Sequence, residues 1–137
     1  MIQMNTNKLI YPELSYAIVG ICFAVHNEKG RFAREKQYAD TIEEKLKEAK
    51  IPYKREFSIG DAGDKVDFLI DNKIVLEIKA KRTVIREDYR QLQRYLQSSR
   101  IRLGLLINFR TYYIKPLRIV RIDKDTSPDY KNSYSLV

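Results

Sequence analysis

Two apolar runs at the centre of the chain dictate its architecture. Val66 to Ile70 and Ile74 to Ala80 are separated only by Asp71-Asn72-Lys73, a turn-forming group. The pair therefore reads as a β-hairpin. Both arms are apolar at odd and even positions alike, so neither face can be left to water. Into this hairpin the sequence places three charges, Asp67, Glu77 and Lys79. A loop of residues 71–73 pairs residue 70 with 74, and hence 67 with 77. The two carboxylates then lie opposite each other on one face, with Lys79 on the same face. The other face takes Val66, Phe68, Ile70, Ile74, Leu76, Ile78 and Ala80.

The flanking pattern supplies the cover. Pro12 starts a predicted helix from about Glu13 to Asn27, with Leu14, Ile18, Ile21, Cys22 and Val25 on one side. A second helix is expected from about Phe32 to Lys50, with a stripe of Ala39, Ile42, Leu46 and Ala49, and Pro52 ends it. Tyr53 to Ile59 reads as a strand, and 60–64 as a turn. A third helix follows over Glu87 to Ser98. Strands are expected at Arg102 to Asn108 and Leu117 to Ile122. The order α-α-β-β-β-α-β-β predicts an α/β (α+β) fold, a mixed sheet flanked by helices. At 137 residues the chain fits one domain, 1–122, followed by a loosely held tail, 123–137. No apolar run approaches the roughly 20 residues that span a bilayer, and the first residues lack the pattern of a secretory signal. Cys22 is the single cysteine, which points to a reducing, cytoplasmic home.

Two buried carboxylates side by side repel, and each is costly to desolvate. A divalent cation removes both problems. Carboxylate oxygens suit Mg²⁺ or Mn²⁺, which keep waters and accept further ligands from a phosphate. Lys79 beside the metal could orient an attacking water and stabilise charge developing on phosphorus. The plainer alternative is an ion pair of Lys79 with Asp67 or Glu77. Glu35 precedes Ala39, Ile42, Leu46 and Ala49 at steps of four, seven, eleven and fourteen, so it falls on the inward stripe. There it could supply a third acidic ligand or a supporting hydrogen bond. Alternatively, it is a first-turn glutamate matched to the helix dipole. Gln91 and Tyr95 share a face of the third helix and could reach the substrate, or simply pack as interior polar residues. His26 is the sole histidine and reads as a local hydrogen-bonding residue, which excludes a two-histidine metal site.

The formal net charge is +8, and it is concentrated. Residues 73–122 hold 13 Lys and Arg against 3 Asp and Glu, whereas residues 1–72 hold 11 against 12. Such a field favours a polyanion, nucleic acid before an anionic membrane. Arg86, Arg90 and Arg94 recur at steps of four, just after Lys79, Lys81 and Arg82. With only Glu87 and Asp88 nearby, the stripe is expected to be largely uncompensated and to follow a phosphate backbone. A solvated surface is the alternative.

The segments ELSYAIVGICFAVHNEKG, EKQY, VDFLIDNKIVLEIKAK, QLQRYL and LGLLINF occur in this order. Together they resemble the small GxxExxY proteins, a branch of the PD-(D/E)XK nuclease superfamily, over roughly residues 13–109. The resemblance implies a restriction-endonuclease-like core, α-β-β-β-α-β, with an extra N-terminal helix. It implies Asp67 and Glu77 as metal-binding acids, Lys79 as catalytic lysine and Gln91 as the glutamine of the following helix. Glu35 and Tyr38 match the glutamate and tyrosine of the family name. One position departs: Phe32 stands where the family has glycine, which alters the turn before Glu35.

The chain is thus expected to be a Mg²⁺-dependent (or Mn²⁺-dependent) phosphodiesterase acting on DNA. Asp67, Glu77 and Glu35 would hold the metal, Lys79 and Gln91 would serve the chemistry, and Lys81, Arg82, Arg86, Arg90 and Arg94 would hold the backbone. No membrane is expected as partner. Related folds often dimerise, so a homodimer stays open. The rivals are a nucleic-acid-binding module without catalysis and a partner-binding protein whose acids and lysine are ion-paired.

Overall fold

The computed structural model describes residues 10–59, 63–123 and 134–136. Two helices come first, α1 (Pro12–Lys29) and α2 (Glu35–Glu48). Three strands follow, β1 (Tyr53–Ile59), β2 (Asp64–Ile70) and β3 (Ile74–Lys79). Helix α3 (Arg86–Ser99) then leads to β4 (Leu103–Asn108), β5 (Leu117–Val120) and β6 (Tyr134–Leu136). The six strands form one sheet in sequence order. Every pair is antiparallel except β3 and β4, which α3 connects in parallel. This is the mixed, helix-flanked α+β sheet that the hairpin requires. Strand β6 lies in the segment expected to be a tail. Three residues are too short a run for periodicity to reveal.

The central hairpin has the expected register, with Ile70 opposite Ile74 and Phe68 opposite Leu76. Its turn is set by Asp71 and Asn72, whose φ angles of 51° and 54° both lie in the left-handed region those residues tolerate. The Lys73 amide donates to the Ile70 carbonyl at 2.9 Å.

Each face of the sheet has its own core. Phe68, Ile70, Ile74, Leu76 and Ile78 pack with Leu103, Leu105 and Ile107 under α1 and α2. Val66, Leu69, Val75 and Leu106 pack against Leu92, Tyr95 and Leu96 of α3. Val66 was expected beside Phe68 and lies on the other face. In helix α2, Ala39, Ile42 and Leu46 are buried as predicted, whereas Ala49 is exposed at its C-terminal end.

Polar side chains tie the layers together. Arg118, buried in β5, donates to Ser15 Oγ at 2.6 Å and to the Ile10 carbonyl at 2.7 Å, fastening the start of α1 to the sheet. Gln93 of α3 donates to the Val120 carbonyl at 2.9 Å and accepts from the Ile122 amide at 2.8 Å. His26 Nε2 donates to the Thr111 carbonyl at 3.0 Å, a contact far along the chain rather than local. Among the described residues, no helix is long and apolar enough to cross a membrane.

Helix α3 packs tightly on the sheet at Gly104, where an added Cβ would meet Leu92 at 3.0 Å. Leu92 is only 1% exposed and has nowhere to retreat. Gly104→Val is therefore expected to lower unfolding free energy by about 1–3 kcal/mol through overpacking. Urea titration checks this, and an unchanged midpoint would show that α3 stands further off.

Candidate active site

The β2–β3 ladder ends at Phe68 opposite Leu76. At the next position side chains replace backbone carbonyls as acceptors. The Asp67 amide donates to Glu77 Oε1 at 3.0 Å, and the Ile78 amide donates to Asp67 Oδ2 at 2.7 Å. The two acids are thereby locked across the opened end of the hairpin. On the other side of β2, Arg55 pairs with Phe68 and Phe57 with Val66, but Glu56 and Asp67 between them do not pair. Glu56 takes a left-handed φ of 51° there. This irregularity breaks strand alternation at Asp67, which explains why Val66 and Phe68 face opposite cores. It also lets Asp67 line a cavity of about 200 Å³ with Glu35, Lys36, Glu56 and Ile78.

The electrostatics follow from the crowding. Burial, and then the charge of Asp67, push Glu77 from an ordinary 4.5 up to about 8, against the pull of the Asp67 amide and Lys79. Burial likewise raises Asp67, opposed by the Ile78 amide and Lys79 and reinforced by Glu56. Glu35 is raised by burial and by Asp67, while Lys79, Lys81 and the Ala80 amide oppose the shift. All three acids therefore belong to one electrostatic cluster. Glu35 is the first residue of α2 rather than part of a helix begun at Phe32; the residue is exposed overall while it lines the cavity beside Asp67. Among the described residues, no three His, Cys, Asp or Glu side chains gather closely enough to hold a metal by themselves.

Asp67 and Glu77 nonetheless suit a hard divalent cation. Each uses one oxygen on a backbone amide. A cation on the second oxygens would offset the burial that raises both acids and the Asp67 charge that adds to it at Glu77, and Mg²⁺ needs few protein ligands beyond that.

The sequence model of the PD-(D/E)XK nuclease superfamily matches residues 12–122. The chain belongs to that superfamily. Comparison with curated proteins and with solved structures returned no significant match. PD-(D/E)XK nucleases generally use divalent metals such as Mg²⁺.

In this PD-(D/E)XK chain the basic partner of the acids is held loosely. Lys79 Nζ lies 3.9 Å from Asp88 Oδ1, whereas Lys81 Nζ lies 2.5 Å from Asp88 Oδ2. Asp88 also caps α3, accepting from the Ile85 amide at 2.8 Å. So Asp88 spends its charge chiefly on Lys81 and leaves Lys79 beside the acid pair. Asn108 carries the β3–β4 pairing one step further with its side chain, accepting from the Lys81 amide at 3.1 Å and donating to the Lys81 carbonyl at 2.7 Å. Asp88, Asn108 and Glu56 were missed as site residues. The signal for Asp88 was its place in the first turn of a helix just after two lysines.

Other predicted residues fall as follows. Tyr95 is buried and its hydroxyl pKa is raised, by burial first and then by Glu77. Gln91, one turn before it, is half-buried. Arg82, Arg86, Arg90 and Arg94 are all exposed. Their stripe is less bare than expected: Arg94 pairs with Glu87 at 3.0 Å, and Lys81 is engaged by Asp88. Tyr38 is fully buried and stacks on Phe109 with ring centres 4.4 Å apart. Its hydroxyl donates to the Gly30 carbonyl at 2.6 Å and accepts from the Ala33 amide at 3.2 Å. It thus holds the turn that delivers Glu35. Phe32, at the divergent position, has no left-handed φ and projects outward, 73% exposed.

The raised Glu77 has a consequence for stability. Between pH 4.5 and about 8 the folded chain keeps a proton that the unfolded chain has released. The Glu77 contribution to stability therefore falls as pH rises through that interval. In chelator, Glu77→Gln is expected to flatten the dependence and to melt at or above the parent at pH 8. Melting curves across the interval decide it. Equal slopes for parent and variant would mean that Glu77 ionises normally.

Proposed function

We propose that this chain is a metal-dependent phosphodiesterase that hydrolyses DNA. One observation carries the proposal: Asp67 and Glu77 are held together at the open end of the hairpin, with Lys79 two residues on. A buried acid pair fixed by backbone amides is costly to fold and is rational if a cation is to be held there. When bound, the cation supplies charge neutralisation and Lewis acidity towards a phosphate oxygen.

The chain's own groups do the rest. Asp67 and Glu77 would hold the cation, and Glu35 would support the site from the α2 side of the cavity. Lys79 orients the attacking water and opposes negative charge gathering on phosphorus. Gln91 assists from α3. Lys81, Arg82, Arg86, Arg90 and Arg94 hold the strand through its phosphates, a contact that weakens with salt. Cys22 is free and fully buried, which supports work in a reducing, cytoplasmic compartment.

Asp67→Ala and Lys79→Ala are each expected to lower the cleavage rate about 100-fold or more while circular dichroism stays that of the parent. The assay offers single-stranded, double-stranded and branched DNA with Mg²⁺, Mn²⁺ or chelator. Full activity in purified Asp67→Ala would refute the assignment. Salt-sensitive binding without cleavage under any of these conditions would favour a non-catalytic binding module.

A further inference from the structure

Two loops adjoin Glu35 and the end of β4 and have an unusual composition. Residues 30–34 lead directly into Glu35, and residues 109–116 leave β4 just after Asn108, which is in register with Lys79. Together they contain four cations, Arg31, Arg34, Arg110 and Lys115, and no acid. They also carry three aromatic rings that the fold leaves in water: Phe32 at 73%, Tyr112 at 67% and Tyr113 at 73% exposure.

The loops are joined rather than merely adjacent. Arg31 Nε donates to the Arg110 carbonyl at 3.0 Å. The guanidinium groups of Arg31 and Arg110 lie 4.9 and 4.8 Å from the centre of the Phe32 ring. The Tyr112 and Tyr113 rings meet edge to face, 4.7 Å apart, and Thr111 Oγ1 donates to the Tyr113 carbonyl at 2.7 Å. The aromatic groups are therefore displayed from braced backbone.

Single exposed aromatics need no explanation. Three of them interleaved with cations, and with no acid in either loop, form the combination that binds unpaired nucleotides: flat rings for bases and positive charge for phosphates. A duplex would gain nothing from the rings, because its bases are already stacked. We propose that these loops form a stacking surface for the unpaired bases of a nucleic-acid strand, so that the substrate is single-stranded, frayed or flapped where it reaches the site. The inference rests on the phosphodiesterase reading for its substrate, but its test reads binding alone.

The experiment measures fluorescence anisotropy of a labelled thymidine homopolymer, a uridine homopolymer and a duplex with the full chain in chelator, where no cleavage can occur. Tyr112→Ala/Tyr113→Ala and Phe32→Ala are each expected to weaken binding of the single strands by about 5- to 100-fold and to leave the duplex unchanged. Tyr112→Phe/Tyr113→Phe should bind as the parent does, which separates stacking from loss of fold. The same loss with DNA and RNA supports the surface, as does loss with either alone. Alanine variants that bind single strands like the parent overturn it, as does an equal loss on duplex. Binding to phosphatidylserine vesicles with none to either homopolymer overturns it too. Because no cleavage is read, an inactive enzyme with ring-dependent binding would sink only the phosphodiesterase reading. Active enzyme with ring-independent binding would sink only this one.

Discussion

Two side-chain-to-backbone hydrogen bonds decide what the middle of this molecule can be. Where the β2–β3 ladder should continue, Glu77 accepts the Asp67 amide and Asp67 accepts the Ile78 amide. Carbonyls would have closed the hairpin with no charge at all. Carboxyl side chains open it and place two acids where little water reaches them. The sheet tolerates this because the neighbouring stretches of β2, β3 and β4 are buried and apolar, with helices over both faces, so the cost is concentrated at one end of one hairpin.

The surroundings manage that cost without cancelling it. Glu35 and Glu56 add negative charge to the cavity that Asp67 lines. Lysine is close at hand in Lys79, but its nearest carboxylate on α3, Asp88, is mainly engaged by Lys81. A fully satisfied ion-pair network would have had an acid and a base matched one to one. Here Lys36 and Arg55 also line the cavity, but they are paired with Asp40 and with Asp40 and Glu43, and Asp67, Glu77 and Glu35 all keep raised pKa values. We read this as a place for a cation rather than an ordinary buried salt bridge.

Much of the arrangement was legible in the sequence. The Asp71-Asn72-Lys73 turn fixed the register, and the register put Asp67 beside Glu77. Periodicity could not show that alternation breaks at Asp67, because the break comes from unpaired Glu56 on a neighbouring strand. Hence Val66 was assigned to the wrong face. The start of α2 was misjudged for a similar reason: Tyr38 holds residues 30–33 in a turn through its hydroxyl, and no local propensity announces that. Glu87 and Asp88 were counted as too few to offset the arginine stripe, yet Glu87 pairs with Arg94, which is seven residues away on the same face two turns later. Strand β6 was too short to recognise.

The central claim is that the Asp67–Glu77 pair exists to hold a divalent cation. Titration calorimetry of Mn²⁺ into the full chain near pH 7, in two buffers of different ionisation enthalpy, tests it most directly. Because Glu77 keeps its proton up to about pH 8, one site should fill with release of a proton to the buffer. Asp67→Asn/Glu77→Gln should abolish both heat and proton release. Saturable binding that survives this double substitution, or no binding by the parent chain, would contradict the account.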